Sequence, residues 1–263
     1  MKILFIGFGN VAKEMARIFT EKNLYPALDI SPEVIGIFTG RHGGLENSEG
    51  IGLNTVLAEL RQNNRLAADE SELSPLTPLE AAEKLDYDVL VELSALSIRG
   101  RGEPAASHIR AALKRGKSVA SANKGPVSFR YGELRDLAEK NGALYLFESA
   151  VMDGAPLFSL CRRCMKGATV RGFSGILNGT TNFILSHMEE GGSLEEGIKT
   201  AQEAGIAEAD PSMDVDGWDP AAKAAALANV LMGSDITPLD VEREGIRSVT
   251  PEMAQDAVSR GMR

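Results

Sequence analysis

The densest reactive chemistry in the chain lies in residues 207–223, AEADPSMDVDGWDPAAK, which carry Glu208, Asp210, Asp214, Asp216 and Asp219 ahead of Lys223. Asp219-Pro220 has the residue types of a helix N-cap followed by proline at the first helical position, which sets Lys223 one turn inside the helix. A lysine there faces the positive end of the helix dipole, a setting that makes its proton easier to give up. Such a lysine serves alcohol oxidation or carbonyl reduction, because it exchanges a proton with a hydroxyl. The acids before it suit a substrate ammonium group, and they equally fit a solvated acidic loop. Asp219 likewise has a purely structural role open to it as a cap. Two further segments have compositions that packing alone does not favour. SANKGP (121–126) follows a strand-like run, so Asn123 and Lys124 stand at the strand end where ligands gather in parallel sheets. NGTTNF (178–183) leads into a helix, where Asn178, Thr180 and the first N–H groups are placed to meet an anionic substrate group.

Gly7-Phe8-Gly9-Asn10-Val11-Ala12 reads G-x-G-x-x-A between an apolar run and an amphipathic stretch. At the first strand–helix junction of a strand–helix–strand unit, the glycines Gly7 and Gly9 permit a tight turn. Backbone N–H groups at Asn10 and Val11 then approach a pyrophosphate at the helix N-terminus. The second strand ends in Thr39-Gly40-Arg41-His42, with no acid to bind a ribose 2′-hydroxyl. The Arg41 guanidinium suits a 2′-phosphate, so NADP is preferred over NAD, which stays possible. An exposed loop arginine is the alternative reading.

These groups need a scaffold. KILFI (2–6), Val34–Phe38, DVLVELS (88–94), KSVASA (117–122) and ALYLFE (143–148) read as strands. Helical stretches alternate with them, at Asn10 to about Asn23, Pro104 to about Arg115 and Arg130 to Lys140. Thr77 and Glu80 have capping-box spacing, and Asn141-Gly142 is a left-handed helix stop. Strands alternating with helices predict an α/β fold, a Rossmann-type doubly wound parallel sheet over residues 1–142. From 143 to 263 the rhythm changes. ATVRGFSGI (168–176) alternates like a half-exposed strand, and helices follow from Thr180, from Ser193 with Glu196 as a capping box, and from Asp219-Pro220. This second region reads as a mixed α/β substrate domain.

A formal net charge of -9 argues against a nucleic-acid surface, which needs a basic patch. No apolar run approaches the roughly 20 residues that span a bilayer. Lys2 and the apolar run after it lead into a glycine turn rather than a cleavage site, so the N-terminus reads as a first buried strand of a cytoplasmic protein. Cys161 and Cys164 are spaced C-x-x-C, but His42, His108 and His187 show no ligand spacing to complete a zinc site. Two reduced thiols on one helix are expected.

GFGNVA, ELSALS, GEPAASHIRAALKRGKSVASANKGP, ESAVMDGAPLFSL, GILNGTTNFIL and AGIAEADPSMDVDGWDPAAK resemble consecutive motifs of the homoserine dehydrogenases, in order and over nearly the whole chain. The resemblance implies an NADP-dependent interconversion of L-homoserine and L-aspartate 4-semialdehyde in threonine, methionine and isoleucine biosynthesis. It implies Lys223 as the principal proton-transfer group, with Lys124 as a second lysine near the nicotinamide and the reacting oxygen. Glu208 would hold the amino-acid substrate's ammonium group, and Asp214 and Asp219 would be further substrate or orienting acids. Ser94, Ala95, Ser121 and Asn123 would line the nicotinamide half of the cofactor. Glu148, Val151, Asp153 and Ala155 would hold a monovalent cation such as sodium, mostly through carbonyl oxygens. A homodimer, paired through the second domain, is also implied.

VMDGAP stands where the family is richer in glycine, and Ile206 stands where many members have tyrosine. These departures keep open a dehydrogenase of a related amino-acid semialdehyde. Family members continue beyond the position of Arg263, so a shortened substrate domain is expected, and with it the alternative of a non-catalytic NADP-binding homologue. Feedback through an ACT domain is not expected.

Overall fold

The computed structural model describes residues 1–20 and 31–262. The chain divides into two compact units, Met1–Cys164 and Met165–Arg263. The first is built on strands β1 (Lys2–Ile6), β2 (Glu33–Thr39), β3 (Gly43–Glu46), β4 (Val89–Glu92), β5 (Ser118–Ser121) and β6 (Tyr145–Leu146). They form one sheet in the order β3-β2-β1-β4-β5-β6, parallel except for β3, which pairs antiparallel with β2. This is the expected doubly wound topology. β1 is the strand where the chain order reverses, because β2 lies on one side of it and β4 on the other, and ligands bind beyond the strand ends at that point.

Helices α1 (Asn10–Thr20), α2 (Leu53–Asn63), α3 (Pro78–Lys84), α4 (Ala105–Lys114), α5 (Lys124–Lys140) and α6 (Leu157–Cys164) complete the unit. Parallel strands covered on both faces are continuously apolar, and β1 accordingly buries Ile3, Leu4, Phe5 and Ile6. Ala12 and Ala16 of α1 and Val56 and Leu60 of α2 pack with Phe5, Ile37 and Val91, which holds the N-terminus of α1 firmly against the sheet. The helix expected to reach Asn23 runs to Thr20, and its last three expected residues lie outside the described residues. Thr77 and Glu80 form the capping box on α3, and Gly142 follows α5 at φ 66.

Two expectations shift here. The helix expected from Arg130 is the second half of α5, which starts at Lys124 and has irregular backbone at Arg130. The strand expected over 143–148 narrows to Tyr145–Leu146, because Glu148–Ala150 turns into a short 3-10 helix. This segment stays with the first unit rather than opening the second at 143. Tyr145 pairs with Val119 of β5, and the Phe147 ring packs against Phe158 of α6 at 5.2 Å.

The second unit contains α7 (Gly179–Glu189), α8 (Leu194–Glu203), α9 (Ser212–Val215), α10 (Trp218–Met232) and α11 (Pro251–Ser259). Ile184, Met188, Ala201, Val215 and Ala254 form its core, and Ser193 with Glu196 makes the expected capping box on α8. Among its described residues there is no strand. The strand expected over 168–176 is not formed, since a strand needs a neighbour to accept its backbone hydrogen bonds and none of the described residues pairs with this segment. Its apolar side chains are left in the open, with Phe173 40% and Ile176 73% exposed.

Candidate active site

In the first unit, the turn after β1 has the shape a dinucleotide needs. Gly7 adopts φ +89, and a Cβ on it would lie 2.4 Å from the Leu93 carbonyl carbon at the end of β4. Only glycine fits there. A Cβ on Gly9 would meet nothing within 4 Å, so open space lies over the turn. The first helical bond of α1 runs from Lys13 N to Gly9 O at 3.0 Å, and the N–H groups of Asn10, Val11 and Ala12 precede it. Val11 is 57% exposed at this helix start. An anion finds there both the N–H donors and the positive end of the dipole.

Arg41 sits at the tip of the turn between β2 and β3, where the His42 N–H donates to Thr39 Oγ1 at 2.8 Å. It lines a cavity of about 300 Å³ together with His42, Arg65, Leu66 and Leu73. Arg65 is a residue that the sequence did not single out, because it lies 24 positions from Arg41 and no local motif contains it. Two guanidinium groups on one cavity suit a phosphate.

On the other side of β1 lie the ends of β4 and β5. Ser94 and Ala95 follow β4, Ser121 ends β5, and Asn123 caps α5 by accepting from Gly125 N at 2.9 Å. Asn123 Nδ2 donates to Ser94 O at 2.9 Å, which locks the two loops together. Lys124 is the first residue of α5 and is half-buried.

In the second unit, Lys223 is held by its Nζ, which donates to Leu177 O at 2.8 Å and pairs with Asp219 Oδ2 at 3.1 Å. The expected helix start is corrected here. Gly217, at φ 77, is the N-cap of α10, so Asp219 and Pro220 occupy the second and third helical positions and Lys223 the sixth. Asp219 is therefore no cap. It lies one turn below Lys223 on the same face, 7% exposed, and its carboxylate rather than bare N–H groups faces the ammonium. Asn178 caps α7, accepting from Thr181 N at 2.7 Å. Its amide donates to Asp214 Oδ1 at 2.6 Å and to Asp219 Oδ2 at 2.8 Å. One buried amide thus ties two carboxylates, a helix start and, through Asp219, the lysine into a single network.

Thr180 is also buried and donates to Ile206 O at 3.3 Å, anchoring the loop that carries Glu208. Glu208 itself is exposed on that loop, with its carbonyl accepting from Gln202 Nε2 at 3.1 Å. The structure thus brings together Asn178, Asp214, Asp219 and Lys223, and leaves Glu208 exposed. The Leu177 carbonyl, a main-chain group, had no signature in the sequence.

The remaining acids of the run serve the fold. Asp210 accepts from Ser212 N at 3.0 Å, and Asp216 pairs with Arg247. The Arg247 guanidinium holds the Asp216 carboxyl below its ordinary value. A carboxyl lowered in the folded state adds stability above its unfolded value of about 4, and that stability is lost as pH falls through the folded value. Asp216→Asn is therefore expected to flatten the fall of Tm below about pH 4 in thermal melts. An unchanged acid limb would show that this pair adds nothing.

At the expected cation site, Glu148 has its carboxylate engaged as a cap on α6, accepting from Phe158 N at 2.7 Å and Ser159 Oγ at 2.6 Å. Val151 is buried, Asp153 exposed, and Ala155 O accepts from Leu157 N at 2.9 Å. Cys161 and Cys164 are free thiols on α6, as expected. No helix of the described residues is long and apolar enough to cross a membrane.

Residues 7–148 match the family model for the homoserine dehydrogenase NAD-binding domain, and residues 156–263 match the homoserine dehydrogenase model. The chain belongs to the homoserine dehydrogenase family. It is 34% identical over 262 residues to homoserine dehydrogenase of Methanocaldococcus jannaschii, covering 99% of this chain and 78% of that one. It is also 34% identical to an NAD(+)-dependent homoserine dehydrogenase of Pseudomonas canavaninivorans, covering 95% of this chain and 71% of the relative. Among solved structures, a putative homoserine dehydrogenase of Archaeoglobus fulgidus superposes with a TM-score of 0.85 at 35% identity, covering 99% of this chain and 77% of that one. A hyperthermophilic archaeal homoserine dehydrogenase in complex with NADPH gives 0.82 at 33% identity, covering 94% and 74%. As a member of this family the chain is an oxidoreductase acting on a CH–OH group with NAD(P).

Proposed function

We propose that this chain interconverts L-homoserine and L-aspartate 4-semialdehyde with NADP as its preferred cofactor. The observation that carries the reading is Lys223, held by Leu177 O and Asp219 and tied through Asn178 to Asp214. The residues of the first unit fit a dinucleotide: the open space over Gly9, the N-terminus of α1 and the two arginines on one cavity. When bound, the nicotinamide supplies or accepts the hydride at the substrate carbon.

The protein's own part is to orient the substrate and to manage one proton. In aldehyde reduction, Lys223 Nζ gives a proton to the carbonyl oxygen as it becomes a hydroxyl. In alcohol oxidation it takes that proton back. Asp219 and Leu177 O aim the amine, and the exposed Glu208 carboxylate would receive the substrate ammonium group. A sodium-like ion at residues 148–155 belongs to the same proposal. With Glu148 committed to its cap, main-chain carbonyls would supply its oxygens, and replacing sodium with lithium in the assay tests it. We further propose a homodimer acting in the cytoplasm within threonine and methionine biosynthesis.

The direct test is NADPH oxidation with aspartate semialdehyde, repeated with NADH. Arg41→Ala combined with Arg65→Ala is expected to raise the KM for NADPH about tenfold or more and to leave the KM for NADH within twofold, since each charge-assisted contact to the 2′-phosphate contributes about 1.5–3 kcal/mol. Equal effects on both cofactors would remove the arginines from the specificity assignment. No turnover with either cofactor would overturn the function itself.

A further inference from the structure

Glu92, the last residue of β4, is fully buried. The three residues before it are apolar, and packing alone calls for a fourth. A carboxylate taken out of water is costly unless it is well paired, so its presence at this point demands a use. Its partners are specific. Glu92 Oε1 accepts from Ser94 N at 3.3 Å and from the Ser94 hydroxyl, and Oε2 accepts from Ser121 Oγ at 3.5 Å. Ser121 stands beside Glu92 in the parallel register of β4 and β5.

The hydrogen bonds continue around a closed ring. Ser121 Oγ accepts from Asn123 N at 3.1 Å, and Asn123 Nδ2 returns to Ser94 O at 2.9 Å and Ser94 Oγ at 3.4 Å. Behind the ring, His108 of α4 is 4% exposed, and its Nδ1 has no hydrogen-bond partner and lies 3.6 Å from Glu92 Oε1. Tyr145 adds a buried hydroxyl without a partner, and burial followed by the Glu92 charge pushes its phenol well above the ordinary value.

Ser121 ends β5, and Ser94 and Asn123 follow the ends of β4 and β5, so the ring lies on the opposite side of the order reversal from Arg41. In a doubly wound sheet that half of the crevice takes the second mononucleotide. We propose that Glu92, backed by His108, is a positioning residue that fixes Ser94, Ser121 and Asn123 as the wall for the nicotinamide end of the cofactor. The inference rests on the dinucleotide reading given above. Glu92 touches neither cofactor nor substrate in this scheme, and acts through the two hydroxyls and the amide that it orients.

Glu92→Gln tests it. The glutamine keeps the shape but turns one acceptor oxygen into a donor, so Ser94 or Ser121 loses its acceptor. Equilibrium titrations with NADPH and with 2′,5′-ADP, which carries only the adenosine half, separate the two ends of the site. NADPH affinity is expected to fall about tenfold, the worth of one hydrogen bond to a charged group, while 2′,5′-ADP affinity stays within twofold. Ser121→Ala, which leaves the buried charge in place, is expected to shift the same ratio in the same direction and carries the test if Glu92→Gln does not fold. An unchanged ratio, or equal losses for both ligands, overturns the proposal. Wild-type protein that binds neither ligand would instead overturn the dinucleotide reading.

Discussion

Lys223→Ala is expected to lower kcat for semialdehyde reduction by about 10²–10⁴, the range that one positioned proton donor contributes, while NADPH binds within twofold of wild type. The reason is geometric. Nζ is fixed at 2.8 Å from Leu177 O and 3.1 Å from Asp219 Oδ2 with only 17% of the side chain exposed, so no water or neighbouring group replaces it without rearrangement. Truncation also leaves Asp219 bonded to Asn178 but without its cation. Lys223→Arg is the informative companion, because arginine keeps the charge and gives up its proton far less readily. If the lysine acts only as a fixed charge, arginine restores much of the rate. If it transfers the proton, arginine is nearly as poor as alanine. Near wild-type turnover in Lys223→Ala would remove the residue from the mechanism.

Gly7→Ala is expected to produce the second large effect, on binding and stability together. The new Cβ would lie 2.4 Å from Leu93 C and 2.5 Å from both Leu93 O and Ser94 N, all of them backbone atoms. Positive φ at a non-glycine costs about 1–3 kcal/mol, and overpacking about 1–3 kcal/mol more, so a loss of roughly 2–6 kcal/mol in a denaturant melt follows. Relief comes only by moving the turn away from the end of β4, which displaces the N–H groups at the start of α1 and the Ser94 loop at once. NADPH affinity should therefore fall by more than tenfold. Gly9→Ala is the matched control for the fold, since its Cβ meets nothing within 4 Å, and its melt should stay within about 1 kcal/mol of wild type. Any loss of NADPH binding in that variant measures the occupied space over the turn. A Gly7→Ala protein as stable and as tightly NADPH-binding as wild type would contradict this account of the turn.

The two replacements fall at opposite extremes of what a sequence shows. Gly7 was legible because the chemistry of a tight turn between a buried strand and a helix is local, decided within six residues. The same holds for the capping boxes at Thr77 and Ser193 and the left-handed stop at Gly142. Each depends on neighbours a few positions apart.

Residues 207–223 show where this legibility ends. Five acids looked alike in the sequence, and the tertiary structure sorted them. Asp214 and Asp219 converge on Asn178, 36 and 41 positions away, Asp216 pairs with Arg247, Asp210 holds its own turn, and Glu208 stays exposed. Asp-Pro is a good local start signal for a cap at Asp219, whereas the left-handed Gly217 begins the helix two residues earlier, at Trp218. The strand expected at 168–176 had the right alternation, but alternation supplies no partner for its backbone.

For Lys223, then, the sequence alone determined the residue, its helix and the acids around it. Only the tertiary structure decided which acid faces its ammonium and that a main-chain carbonyl at Leu177 aims it. The same division holds at Glu92, whose ring closes through Ser121, 29 residues away. The physical reason is common to both. Turns and caps are satisfied by adjacent backbone, whereas a buried charge is satisfied by whatever the fold brings to it, and that is written in no single segment.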